Sequence, residues 1–137
     1  MPFVVDASVT LGWCFEDEVS EYAERVFEQL NEDNRGLVPS IWPLEVANGL
    51  LIAERRGRLT SAKVAASAEL TSQLPIFIHD VGPELAFGSV LELARAQGLT
   101  AYDAAYLELA IRLNLPLATA DAQLKKAARA AGVALFH

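Results

Sequence analysis

The chain has 137 residues, 11 of them basic and 18 acidic, for a formal charge of −7; that is long enough for one sizeable core. It excludes the broad basic surface of a protein that binds nucleic acid by charge alone, though not a nuclease, because bound divalent cations can supply positive charge where it is needed. The single cysteine, Cys14, cannot make an internal disulfide, and no apolar run reaches membrane-spanning length, so a reducing cytoplasmic setting without signal peptide or anchor is expected.

Phe3-Val4-Val5 is a short apolar run with two β-branched residues, the pattern of a buried strand, and it ends on Asp6. Ala7 to Leu11 then starts a helix or turn. Asp6 reads either as its N-cap or as a site carboxylate. Trp13, Cys14 and Phe15 make an aromatic-rich turn, and the acidic run Glu16-Asp17-Glu18 reads as a solvated approach to the next helix. From Ser20 to Asn31, Tyr22, Ala23, Val26, Phe27 and Leu30 line one helical face, and Glu21, Glu24, Arg25 and Glu28 the other. Asn34-Arg35-Gly36 is a turn, and Leu37-Val38 a second strand stopped by Pro39.

Ile41 to Asn48 opens the next helix, with Pro43 suited to its first turn. Glu45 and Asn48, three apart, share a face among apolar neighbours. Glu45 either complements the helix dipole or serves a site. Arg55, Arg56 and Arg58 close the segment, as a solvated helix end or as a contact for RNA or protein. Thr60 to Leu74 is a further helix and Ile76-Phe77-Ile78 a third strand. Asp80 reads as a turn residue. Neither His79 nor His137 has a Cys or His at ligand spacing, so both read as structural or terminal. Leu85 to Ala96 is a helix that ends at Gly98.

The stretch Leu99 to Leu124 organises the rest. Thr100 stands three before Asp103, in capping-box register with Asp replacing Glu. Ala101, Ala104, Ala105, Leu107, Leu109, Ala110, Ile111 and Leu113 cover more than half the helix surface, which predicts burial on two sides and leaves Asp103 a charge at the edge of a core. Leu115 to Thr119 is a fourth strand, Asp121 caps a helix over Ala122 to Ala130, and Val133 to Phe136 is a fifth strand. With no repeat, linker or low-complexity segment, residues 1–137 read as one α/β domain. Its strands alternate with helices, hence a mostly parallel sheet with right-handed crossovers.

Asp6 and Asp121 follow strands, while Glu45 and Asp103 open helices. In a parallel sheet these positions share one edge, so all four acids can converge there. Like charges so placed repel, and none has a Lys or Arg beside it in sequence. A hard divalent cation is the simplest neutraliser, and an all-oxygen donor set selects Mg²⁺ or Mn²⁺ over Zn²⁺.

The four segments VVDAS (Val4–Ser8), PLEVANGL (Pro43–Leu50), LTAYDAAYLELA (Leu99–Ala110) and LATADAQL (Leu117–Leu124), in this order, resemble the PIN domain, specifically the VapC-type ribonuclease toxins. The resemblance spans essentially the whole chain. It implies a three-layer α/β/α sandwich with a five-stranded parallel sheet. It implies a Mg²⁺-dependent endoribonuclease whose acidic quartet is Asp6, Glu45, Asp103 and Asp121, with Ser8 and Thr119 as supporting hydroxyls. Asp6 and Asp103 are the implied direct metal ligands, Asp121 a ligand to a second metal, and Glu45 a group acting through water. Products with 5′-phosphate and 3′-hydroxyl ends, homodimers and a cognate antitoxin whose peptide occupies the groove are implied as well. Arg55, Arg56, Arg58, Lys125, Lys126 and Arg129 are the basic groups available to an RNA backbone. Trp13, Phe15 and Trp42 are the aromatic groups available to an antitoxin groove, or else core.

Two other readings compete. A non-catalytic PIN-like module binding RNA or protein would have no need of four mutually repelling acids. A phosphoacceptor receiver domain would need an acceptor Asp after the third strand and a Lys after the fifth; Asp80 is poorly placed for the first, and no Lys follows Val133–Phe136.

Overall fold

A computed structural model of the chain describes residues 1–15 and 20–137; the acidic run Glu16–Glu18 lies outside them. The sheet is parallel throughout, with strand order β3-β2-β1-β4. Its strands are β1 (Phe3–Val5), β2 (Gly36–Pro39), β3 (Ile76–His79) and β4 (Leu117–Ala118). Val4 stands opposite Leu37 on one side and Leu117 on the other. All three residues of β1 are fully buried, which is why that run carries no polar alternation.

The sheet has four strands, not the five expected. Val133–Phe136 meets β4 at one isolated parallel bridge, Leu117 with Leu135. There the Leu117 N–H donates to the Ala134 carbonyl and the Phe136 N–H to the Leu117 carbonyl, both at 2.9 Å. The reason lies in β4. Pro116 has no N–H to give, and after Ala118 the chain turns away toward a helix, so β4 offers a ladder of only two residues. The terminal segment is held instead by side chains: the Phe136 ring stacks on Phe3, centroids 4.1 Å apart.

The sheet is flanked by helices. These are α1 (Ala7–Cys14), α2 (Glu21–Gln29), α3 (Trp42–Arg55), α4 (Ser61–Ser72), α5 (Pro83–Leu85), α6 (Leu91–Gln97), α7 (Ala101–Leu113) and α8 (Ala122–Ala130). A π-helical segment, Ala86–Val90, joins α5 to α6 where one regular helix was expected. α7 packs against β1, β2 and β4. Its residues from Ala104 to Ala110 are all buried, the two-sided burial expected of its apolar pattern. α1 packs against α2 and α3. The approach to α3 depends on Gly49, because a Cβ there would stand 2.5 Å from Leu11 Cδ1. None of the helices among the described residues is long and apolar enough to cross a membrane.

Candidate functional site

The carboxyl edge of the sheet collects the strand ends and helix starts that carry the four acids. Asp6 follows β1 and is 4% exposed. It occupies the N-cap position of α1, but its side chain accepts no capping hydrogen bond. Its Oδ2 instead accepts from the Ser8 hydroxyl at 2.8 Å and from the Thr119 hydroxyl at 2.7 Å. Two donors on one oxygen stabilise a carboxylate that burial penalises. Burial wins, and with the nearby Asp121 charge it holds the Asp6 carboxyl above its ordinary value.

The backbone under Asp6 is also fixed. Its N–H donates to the Ala118 carbonyl at 3.0 Å, and its carbonyl accepts from the N–H groups of Val9 and Thr10. The Trp42 indole N–H donates to the Thr10 hydroxyl at 2.9 Å. Trp42 is therefore a buried support of this corner and a core residue.

Thr119 connects two junctions. It donates to Asp6 and accepts from the Asp121 N–H at 3.0 Å. Ser8 does the same one residue earlier, accepting from the Ala120 N–H at 3.3 Å. Asp121 caps α8, its Oδ2 accepting from the Leu124 N–H at 2.9 Å.

Glu45 stands in the first turn of α3 and Asp103 in the first turn of α7. The Tyr106 hydroxyl donates to Glu45 Oε1 at 2.7 Å. Burial pushes the Glu45 carboxyl up; the Tyr106 bond opposes this, and the charges of Asp6 and Asp103 add to it. Burial likewise raises Asp103, reinforced by Asp6 and Asp121. Thr100 caps α7, its hydroxyl accepting from the Asp103 N–H at 3.1 Å. Asp6, Glu45 and Asp103 thus each feel the charge of at least one other of the four acids. Tyr106 was not singled out by the sequence, although its spacing of three from Asp103 puts both on one helical face.

The fit to a cation can be tested on these donors. Among the described residues, no three His, Cys, Asp or Glu side chains form a group closed around one point. An all-protein cage is therefore not what these acids build. What the donors do share is chemistry: they are carboxylate and hydroxyl oxygens, the kind that a hard cation such as Mg²⁺ takes one or two of, with water completing its shell.

The basic residues divide. Arg55 and Arg56 stand at the far end of α3, about 15 Å along the helix axis from Glu45. The Arg58 guanidinium lies 4.4 Å from the centre of the Phe15 ring. Lys126 and Arg129 are exposed on α8, whereas Lys125 is half-buried, 5.7 Å from the centre of the Tyr22 ring. Trp13 donates its indole N–H to the Ala23 carbonyl and meets Phe27 edge-on. With Cys14, Ser67, Leu70, Thr71 and Leu74 they line a cavity of about 170 Å³.

Comparison with known proteins gives three concordant results. The PIN domain family profile matches residues 3–130. Ribonuclease VapC3 of Pyrobaculum aerophilum is 33% identical over 126 residues, covering 90% of this chain and 92% of that protein. The structure of Mycobacterium tuberculosis VapC20, described as a toxin that cleaves the sarcin-ricin loop, superposes with a TM-score of 0.71 at 14% identity, covering 98% of both chains. VapBC2 of Rickettsia felis, solved on a DNA fragment from its promoter, gives 0.69 at 16% identity, covering 99% of this chain and 98% of that one. At those identities the two structures speak for the fold alone.

Proposed function

Since the chain belongs to the PIN-domain family, we propose that it is a Mg²⁺-dependent endoribonuclease, the toxin of a type II toxin–antitoxin pair. The observation that carries this reading is Asp6: a buried carboxylate at a helix N-cap that makes no side-chain cap and instead accepts from Ser8 and Thr119. A binding module has no use for that cost.

In this reading Asp6 and Asp103 hold the cation, with Asp121 the added ligand if a second one binds. When bound, Mg²⁺ neutralises phosphoryl charge and activates water for hydrolysis; Mn²⁺ can replace it. Ser8 and Thr119 fix Asp6 Oδ2 and so orient its carboxylate. Tyr106 fixes Glu45 Oε1, leaving the other oxygen to orient water for in-line attack. Burial, by raising the Glu45 carboxyl, makes it a stronger base toward that water than an exposed carboxylate is. Products carry 5′-phosphate and 3′-hydroxyl ends. The partners are an antitoxin that occupies the groove and a second copy of the chain.

The test is cleavage of total cellular RNA by the purified protein. EDTA should abolish it, and Mg²⁺ or Mn²⁺ should restore it. Asp103→Asn should abolish it with the melting temperature retained, since the Thr100 cap uses only the Asp103 N–H. Equal cleavage in EDTA would sink the metal mechanism, and no cleavage in any metal would leave the binding-module reading.

A further inference from the structure

Beside the acidic edge lies a cationic feature that the reaction has not used. Arg25 on α2 and Lys125 on α8 each place their charge 5.7 Å from the centre of one aromatic ring, that of Tyr22. Cation–π contact holds two long side chains at a common place that free rotation would otherwise blur. The ring is itself anchored. The Tyr22 hydroxyl donates to the Phe136 carbonyl at 2.7 Å, and the Phe136 N–H donates to Leu117 in β4, two residues before Thr119. Lys125 lies one turn into α8, its N–H donating to the Asp121 carbonyl at 3.0 Å. The pair is thus built onto the same β4–α8 junction that holds Thr119 and Asp121.

In a chain of net charge −7, two cations gathered on one ring at the junction that carries Thr119 and Asp121 are not a generic basic surface. A polyanion approaching the acids is repelled by them and needs cations nearby to offset that repulsion. We propose that Arg25 and Lys125, held by Tyr22, grip the RNA backbone phosphates that flank the scissile one. This rests on the ribonuclease reading and names the substrate contact it needs. The ring is occupied by cations, so Tyr22 positions them and does not stack on a base. The grip is sequence-independent, and it orders the strand along the lip.

The test uses the full chain carrying Asp103→Asn, which keeps RNA intact and removes one repelling charge. Binding of a fluorescein-labelled 12-nucleotide single-stranded RNA is read by anisotropy at 50–300 mM KCl. Adding Arg25→Gln and Lys125→Gln should weaken binding about tenfold or more at 100 mM KCl. It should also flatten the slope of log K against log salt by about 1.4, or about 0.7 per phosphate contact. Arg25→Lys with Lys125→Arg should restore both, and Arg55→Gln with Arg56→Gln should alter neither. If melting shows the double Gln variant unfolded, the single variants decide, each expected to flatten the slope by about 0.7. Unchanged affinity and slope overturn the proposal, as does absence of RNA binding by the Asp103→Asn chain. Preferential loss of binding to a glutamate-rich peptide assigns the pair to a protein partner and overturns it too. Cleavage by the wild type is scored separately. RNA cleaved with an unchanged slope sinks the grip alone, and RNA gripped through this pair without cleavage sinks the nuclease alone.

Discussion

Two strand-to-helix junctions in this molecule share one local form and divide in function. Asp6 ends β1 and precedes α1 with φ −78° and ψ 151°. Asp121 follows β4 and precedes α8 with φ −81° and ψ 124°. Both are extended residues at an N-cap, where Asp is strongly preferred. Asp121 does what the position favours and accepts from Leu124. Asp6 does not, and α1 begins without a side-chain cap. The difference is tertiary. Thr119, 113 residues away, offers Asp6 a hydroxyl at 2.7 Å, and Ser8 offers a second. Asp6 thus forgoes a local bond worth about 1 kcal/mol for a buried, charge-repelled place, a cost that the proposed catalytic role of its charge would explain.

The largest effect should come from breaking the first junction. Asp6→Asn keeps the size and an oxygen that can accept from Ser8 and Thr119, and removes the charge. RNase activity should fall about a thousandfold, a transition-state loss of about 4 kcal/mol. The metal-free melting temperature should hold or rise, because the buried charge is gone. A protein that melts much lower while keeping its activity would make Asp6 a structural residue after all.

Thr119→Val strikes the tie between the two junctions. It removes the bond to Asp6 and the acceptor for the Asp121 N–H, leaving polar groups without partners in a place only 1% exposed. The expected loss is about 2 kcal/mol of stability, with roughly tenfold lower activity from a misoriented Asp6. Thr119→Ser should recover most of both. Denaturant melts paired with RNase rates would show it, and a stability loss with undiminished rate would separate Thr119 from the site.

The same contrast shows how far the sequence could be read. The strands β1 and β2, the two-sided burial of α7 and the places of Asp6 and Asp121 after strands and of Glu45 and Asp103 in first helical turns all follow from patterns of a few neighbouring residues. Whether Asp6 caps or serves a site could not be decided that way, since the deciding hydroxyl, Thr119, lies just past another strand. Val133–Phe136 has a strand's composition, but its pairing depends on the two-residue length of β4, which Pro116 and the turn at Thr119 set. The π-helical segment Ala86–Val90 replaces part of a helix that periodicity alone describes as regular. Tyr22 reads as a core-facing residue of an amphipathic helix. Arg25, three residues on, is within helical reach of its ring, but only the fold brings Lys125 there.

Acidity offers a gentler probe of the cluster. Asp6, Glu45 and Asp103 are all held above their ordinary values in the folded chain. The folded protein therefore binds these protons more tightly than the unfolded one. Their contribution to stability is fully present below the unfolded carboxylate range near pH 4 and is lost as pH rises through the folded values. Without metal, the protein should melt higher at pH 5 than at pH 7.5. Asp103→Asn should narrow that difference, because one raised group is removed and its charge no longer raises Glu45. Equal pH dependence in the two proteins would deny that Asp103 belongs to a coupled set.

The smallest effect should come from the second junction, and it isolates charge from capping. Asp121→Asn keeps an acceptor for the Leu124 N–H and removes one charge felt by both Asp6 and Asp103. In EDTA the variant should gain about 1 kcal/mol, after the remaining acids adjust their protonation. In a chain of this size that is a rise of about 4 °C in melting temperature. Asp121→Ala removes the same charge and the cap as well. The loss of about 1 kcal/mol from the cap should then cancel the gain, leaving the variant near the wild type. Millimolar Mg²⁺ should raise the wild type more than Asp121→Asn, because a ligand that binds only the folded state adds stability by mass action. Thermal melts of the three proteins in EDTA and in Mg²⁺ at neutral pH make the comparison. If Asp121→Asn melts below the wild type in EDTA and Mg²⁺ moves neither, Asp121 is only a cap, the four acids form no shared metal site, and the nuclease reading loses its main physical support.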